Sequence, residues 1–427
     1  MDVSSSMTTG TGTVQLDIDS TTASSAVTAD SAQVTSQALT YTSGTLAKSF
    51  ASTPQNQVVS GNQVVEIGRW KLTSSYQAFK VTELKLDPDV SSSSSTNAED
   101  AIVSVSLWDG TTQVGQTESF NNINEDGSTG GYFFTGLNFT VPASTIKTLT
   151  AKATLATPDA TNGTSGLRVV PSLTWVQYED PDGTVSTIDE DTDGNSTYVY
   201  KAIPKLEKVE LTNSAIFNGQ VVDLYSFKVT APSQGSVSIK QFKLDLSWSD
   251  VNTQVLELES LKLFKNGVDI TTSVLLHGDA DPTQTAEGTS GVSEEDTQII
   301  VTWDGTTEDT ISAGTSVTYT VRGTPQDFAS TTIGQDSVAL AFNADTDDVT
   351  FGSTTVDFIG FINNDGVTDD NLALFTSATT SASAEDANLI WSDNSAVAHS
   401  ASRTAGTGDW TNSYLLDSLT SEVWSMN

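Results

Sequence analysis

The sequence predicts an all-β chain of two tandem Ig-like antiparallel β-sandwich domains. Three observations carry this prediction: a long internal repeat, strand-type alternation with little helical periodicity, and turn dipeptides placed between the strand segments. The repeat is the strongest. Asn62–Thr73 (NQVVEIGRWKLT) aligns without a gap with Gly219–Thr230 (GQVVDLYSFKVT). Leu84-Lys85-Leu86-Asp87 then matches Phe242-Lys243-Leu244-Asp245, and Ser106-Leu107-Trp108 matches Lys262-Leu263-Phe264. Val141–Lys152 (VPASTIKTLTAK) matches Ile311–Arg322 (ISAGTSVTYTVR) position by position.

Taken in chain order, Thr13–Asp19 (TVQLDID) reads as the first strand of copy one and Leu206–Thr212 (LEKVELT) as that of copy two. From about Ser20 to Gly61 copy one carries a Ser-, Thr- and Ala-rich insertion, with scattered apolar residues at Val34, Leu39, Tyr41, Leu46 and Phe50. A loop of that length inside a compact domain is uncommon. Three readings stand: a flexible or glycan-decorated surface loop, an arm that adds a strand to a neighbouring subunit's sheet, or an extra local hairpin. In the strands that follow, Trp70 and Leu72 alternate with Lys71, and Phe227 and Val229 with Lys228, as one buried face requires. Asp109-Gly110, Asn266-Gly267 and Asp304-Gly305 supply hairpin turns that tolerate positive φ. The organisation is therefore residues 1–60 as first strand plus insertion or arm, 61–200 as the first sandwich, and 201–427 as the second.

Composition limits the function classes. A length of 427 residues favours two domains or more, which agrees with the repeat. The net charge of −36 repels a phosphate backbone, so no nucleic-acid partner is expected. With no cysteine, thiol catalysis, disulfides and Cys-ligated zinc are excluded. No run of 18 apolar residues exists to form a transmembrane segment, and Met1-Asp2-Val3 lacks a signal-peptide pattern.

The clearest chemical motif is Asp189-Glu190-Asp191-Thr192-Asp193-Gly194-Asn195. Alternating carboxylates converge on one hard cation when a Gly permits the tight turn, so Asp189, Asp191, Asp193 and Asn195 are the candidate calcium ligands. Tyr200 stands where a full EF-hand has its distal Glu, which leaves a partial, adhesin-like loop. The competing reading is an acidic linker between the copies. Glu179–Gly183, Asp345–Asp348 and Asn363–Gly366 are weaker acidic turns.

No catalytic residue is assigned, and the chain is not expected to be an enzyme. His277 and His399 are the only histidines and read as polar loop residues; neither lies in a nucleophile, zinc or phosphate-loop motif. Trp175, Tyr178, Trp391, Trp410 and Trp424 are candidates for stacking on sugar rings, with core packing as the alternative and Trp391 and Trp410 read as structural. Asn138-Phe139-Thr140, Asn162-Gly163-Thr164 and Asn195-Ser196-Thr197 have the form of glycosylation acceptors.

Leu389-Ile390-Trp391-Ser392-Asp393-Asn394-Ser395-Ala396, then Asp409-Trp410-Thr411-Asn412 and Tyr414-Leu415-Leu416, resembles the WSDNSA…DWTN close of modular β-rich surface proteins of candidate-phyla bacteria. Leu107–Gly115 and Val141–Thr150 resemble their domain strands. The resemblance implies an extracellular, cell-surface structural role and no reaction. The expected function is self-assembly into a surface layer or filament, a homopolymer joined through the arm, the sheet edges and the terminal Ser418–Asn427. The alternative is a monomeric adhesin that binds a cell-surface glycan.

Overall fold

The computed structural model describes residues 12–14, 39–41, 43–90, 101–123, 129–158, 165–212, 215–251, 254–279, 291–303, 306–332, 334–346, 355–359, 374–377, 387–402 and 406–426. These residues are built from strands, with one short 3₁₀ turn at Thr271–Ser273. The all-β sandwich expectation holds.

Seven principal strands form each copy. In the first they are β1 (Thr45–Phe50), β2 (Val64–Ser75), β3 (Phe79–Val90), β4 (Ile102–Asp109), β5 (Ile146–Leu155), β6 (Leu167–Glu179) and β7 (Ser196–Tyr200). In the second they are β8 (Lys205–Lys208), β9 (Val222–Thr230), β10 (Val237–Ser249), β11 (Glu257–Lys265), β12 (Ser316–Gln326), β13 (Ser337–Phe342) and β14 (Leu419–Met426). One sheet of copy one runs β1-β2-β5-β4 and its partner β7-β6-β3; copy two repeats this as β8-β9-β12-β11 and β14-β13-β10. That division of seven strands is the constant-type immunoglobulin arrangement. Additional strands extend both pairs alike. Asn56–Ser60 pairs parallel to β7, and Ala215–Ile216 parallel to β14.

Duplication extends to residue pairs. Trp70 faces Leu149 across its ladder as Phe227 faces Tyr319, and Leu107 faces Ala151 as Leu263 faces Val321. Even the β-bulge recurs: β2 shifts register between Glu66 and Gly68 against β5, and β9 between Asp223 and Tyr225 against β12. At the bulges Ile67 O accepts from Asn195 N at 2.9 Å, and Leu224 O from Trp424 Nε1 at 2.8 Å. A separate hydrophobic core fills each sandwich. Trp70, Leu84 and Leu107 centre the first, and Phe227, Phe242 and Tyr319 the second, where the three rings pack with centroids 5.0–5.7 Å apart.

Three expectations change. The first strand of copy one is Thr45–Phe50, which pairs with β2 where β8 pairs with β9. Of Thr13–Asp19, Gly12–Val14 forms a separate two-stranded sheet with Leu39–Tyr41, and 15–19 lie outside the described residues. The Ser20–Gly61 stretch therefore supplies two strands of the sandwich, Thr45–Phe50 and Asn56–Ser60, and Leu46 is buried in the first core; of the stretch assigned to an arm, 20–38 lie outside the described residues. The terminal segment is the last strand of its own sandwich: β14 pairs with β13, and Trp424 is buried.

The WSDNSA…DWTN motif also has a clear place. β6 runs along β3 for ten paired positions, whereas its counterpart β13 stops at Phe342 and resumes as Leu389–Ser392 on the same flank of β10. Trp391 faces Ile239 as Tyr178 faces Val81, and Trp410–Thr411 pairs with Trp391–Ser392 as Val185–Asp189 pairs with the end of β6. The motif is thus the second half of a strand split by an insertion, with its returning hairpin arm.

Candidate functional site: an acidic closure and the inter-sandwich junction

The Asp189–Asn195 run lies along the edge of β6, between the segments that pair with its two ends. Thr192 and Leu173 exchange main-chain hydrogen bonds at 3.0 and 3.2 Å, Gly194 N donates to Pro171 O at 2.7 Å, and Trp70 Nε1 donates to Thr192 O at 2.8 Å. A Cβ at Gly194 would come within 2.8 Å of the Ile67 and Pro171 carbonyl oxygens, so the close approach requires glycine. The four candidate ligands lie on this strap but are turned to different partners. Asp189 and Asp191 are exposed; Asp193 accepts from Ser172 Oγ; Asn195 Oδ1 accepts from Gln55 N at 3.0 Å. Among the described residues no three acidic or histidine side chains converge to hold a metal ion.

A cationic group is nevertheless present. Lys48 Nζ on β1 donates to Leu173 O at 2.6 Å, to Thr174 O at 3.3 Å and to Glu190 O. The first two carbonyls lie where β6 breaks register between Leu173 and Trp175, and the third belongs to the strap. Burial pulls the Lys48 amine down to about 8, against the opposing pull of Asp191, Glu190 and Asp189. Sequence reading passed over this residue, although it is the only Lys or Arg before Arg69.

The acidic strap leads directly into β7, which serves both cores. Val199 packs into the first, while Tyr198 and Tyr200 belong to the second. Tyr200 places its ring 5.1 Å from Trp391, and its hydroxyl lies 3.1 Å from Thr411 Oγ1. Tyr198 meets Tyr414 edge-on at 5.6 Å, and Asn56 Nδ2 donates to the Tyr414 hydroxyl at 2.6 Å. Just beyond, Lys201 N donates to Asp393 Oδ2 at 2.7 Å and Lys201 Nζ to Asn394 O at 3.1 Å. Asp393 Oδ1 accepts from Ser395 N and Oγ at 3.1 and 2.6 Å. Burial raises the Asp393 carboxyl to about 6, with Asp409 adding to the rise and the hydrogen bonds opposing it. The motif residues Trp391, Asp393, Asn394 and Thr411 are therefore junction residues.

Behind them, His399 Nδ1 lies 2.9 Å from Asp409 and Nε2 3.1 Å from Glu308. Burial lowers the affinity of the ring for its proton, but the two carboxylates outweigh that and hold His399 at about 9. Both nitrogens then carry protons at neutral pH, so this ring has no lone pair for a metal or for a general base. Its geometry is that of a clamp between the motif loop and the Asp309–Ile311 strand. His277, expected in a loop, is buried in the strand Val274–Gly278, where burial lowers its pKa.

The aromatic candidates separate by exposure. Trp391, Trp410 and Trp424 are buried and donate to Asn412 O, Ser400 O and Leu224 O, respectively, which makes them structural. Tyr178 packs edge-on against Phe79 at 5.2 Å. Trp175, half-buried, stacks on Phe133 at 5.7 Å on the outer face of the β3–β6 sheet. On the intervening β3, Lys85 is buried and pairs with Asp87 at 3.0 Å. Of the acceptor triplets, Asn138 is exposed, Asn195 is engaged by Gln55, and Asn162–Thr164 lie outside the described residues. No protein-family model matches the chain, and no curated protein matches its sequence.

Proposed function

We propose that this chain is an extracellular structural protein of a cell surface, a stiff two-sandwich unit that associates with further copies of itself. The observation that carries this reading is the shared strand: β7 sends Val199 into one core and Tyr198 and Tyr200 into the other. Sandwiches joined by a free linker move relative to one another by default. A strand common to both cores, with Asp393 capping the next residue, opposes that motion. Stiff repeated units suit a load-bearing layer or filament, and a net charge of −36 keeps such a surface hydrated. The resemblance of the Leu389–Leu416 motif to surface proteins points the same way. No helix among the described residues is long and apolar enough to cross a membrane.

Edge pairing is an unfavourable route for the association at the β1–β5 sheet. Its end strand Thr112–Glu118 is bulged, with Gly115 at φ +72°, and the opposite end β1 bears Lys48; bulges and lysines are common means of blunting sheet edges. Negative-stain electron microscopy of the purified chain, first in chelator and then in calcium, tests the proposal. Regular sheets or fibres support it, and dependence on the ion would identify the trigger. Monodisperse monomers under both conditions would overturn self-assembly.

A second reading, a surface adhesin for glycans, is favoured by the Phe133–Trp175 stack, a half-exposed aromatic pair on an outer sheet face. Retention on a glycan array that disappears in Trp175→Ala would support it.

A further inference from the structure

We propose that the Asp189–Asn195 strap encloses a cation position whose resident is the Lys48 ammonium, and that calcium or a similar hard divalent ion takes this position only when the ammonium is removed. This inference is independent of the assembly reading.

Three main-chain carbonyl oxygens, those of Leu173, Thr174 and Glu190, meet at Lys48 Nζ. Carbonyl and carboxylate oxygens are the donor set of hard cations. Two of these carbonyls come from the β6 bulge and the third from the strap itself, so the cluster exists only because bulge and strap are folded against each other. Thr174 Oγ1, in the same bulge, is buried without a hydrogen-bond partner among the described residues. Asp189, Glu190 and Asp191 place their negative charge around the amine.

An ammonium is a monovalent point charge with three N–H donors. It satisfies carbonyls as a metal ion does, but it is tethered to β1 and arrives with the fold. On this proposal the acidic run surrounds a cation that the chain supplies in cis. Lys48 and a metal ion are mutually exclusive at the same three oxygens, because two cations in contact repel.

The test uses the full chain and terbium as a luminescent calcium analogue, excited through Trp70, whose indole donates to the strap at Thr192 O. The wild type should show little sensitised emission at about pH 6.5, and Lys48→Met should bind roughly tenfold tighter or better. Asp189→Ala with Asp191→Ala in the Lys48→Met background should abolish the gain. Lys48→Arg, which keeps the charge, should exclude the ion as the wild type does. Equal emission from wild type and Lys48→Met would overturn the proposal, as would absence of binding in both, or ion binding by Lys48→Arg equal to that of Lys48→Met. Should Lys48→Met fail to fold, Lys48→Gln, which removes the charge but keeps a polar end, takes its place. Calcium should then raise the melting temperature of Lys48→Gln and leave that of the wild type unchanged, and an equal response of the two would refute the exclusion.

Discussion

Replacing Tyr200 by alanine tests the shared strand most directly. The ring is buried, lies 5.1 Å from Trp391 and belongs to the second core, although β7 is a strand of the first sandwich. Truncating a buried aromatic costs about 3–5 kcal/mol through lost transfer energy and the cavity left behind. Loss of the hydroxyl contact with Thr411 Oγ1 is included in that figure; Tyr200→Phe isolates it at about 1 kcal/mol. For a unit of roughly 200 residues, each kcal/mol moves the melting temperature by about 2–4 °C, so Tyr200→Ala should lower the second sandwich's transition by about 6–20 °C. Val199→Ala, one residue earlier, is the matched control. It removes about 2 kcal/mol from the first core and should move that core's transition by about 4–8 °C. Differential scanning calorimetry resolves the two, and tryptophan fluorescence assigns the second through Trp391. If Tyr200→Ala lowered only the transition that Val199→Ala lowers, the ring would belong energetically to the first sandwich and the junction would not be shared.

Further outcomes follow from the same geometry. Asp393, raised to about 6 from an ordinary 3.8, binds more protons folded than unfolded between those values, so it favours the folded state increasingly as pH falls from 6 toward 4. At about 1.4 kcal/mol per pH unit, holding it charged at pH 7 costs about 3 kcal/mol, and the acid-side rise in melting temperature should flatten in Asp393→Asn. His399 has the opposite sign. Its folded pKa of about 9 lies above the ordinary 6.5, so its contribution is complete below 6.5 and is lost as pH rises through 9. Urea titrations should show His399→Gln less stable than wild type by about 2 kcal/mol at pH 7.5, with the gap closing by about pH 10. Gly68→Ala should cost about 1–3 kcal/mol by thermal melting, because its Cβ would meet the Trp70 ring at 2.5 Å.

The fold was legible because the two copies could be read against each other. Trp70–Leu149 and Phe227–Tyr319 occupy matching registers, so the sequence alignment was already an alignment of ladders. Errors arose where only one copy spoke. Thr13–Asp19 alternates as well as TLAKSF does, and propensity cannot say which of the two reaches β2; the pairing of Thr45–Phe50 depends on packing Leu46 into the core. The Asp-x-Asp-x-Asp-Gly run was visible, but its partner was not, because Lys48 lies 142 positions from Glu190 and their meeting depends on the β6 bulge. A lone lysine in a basic-free stretch was the available signal. The junction was equally hidden: Tyr198 and Tyr200 read as ordinary strand aromatics, and nothing local reveals that they leave their own sheet for the neighbouring core.

The difference between the copies that bears on the junction falls in one region. Strand order, register and the bulge of the second principal strand are kept, whereas the segment between the sixth and seventh strands diverges completely. In copy one it is a short hairpin and the acidic strap; in copy two it is the insertion that splits β13 from Leu389–Ser392 and returns through Trp410–Thr411. These are the two segments that flank the junction. The strap feeds β7 from one side, and the motif supplies Trp391, Asp393 and Thr411 from the other. A duplicated scaffold conserves what each copy needs to fold alone and leaves free what the pair needs together. On that logic the WSDNSA…DWTN motif answers to the preceding sandwich as much as to its own, and Asp345 shows how the insertion is accommodated. Its carboxylate accepts from Asn388 N at 2.7 Å and from Ser413 N at 2.8 Å, pinning the base of the insertion to the returning chain so that the split strand keeps its register.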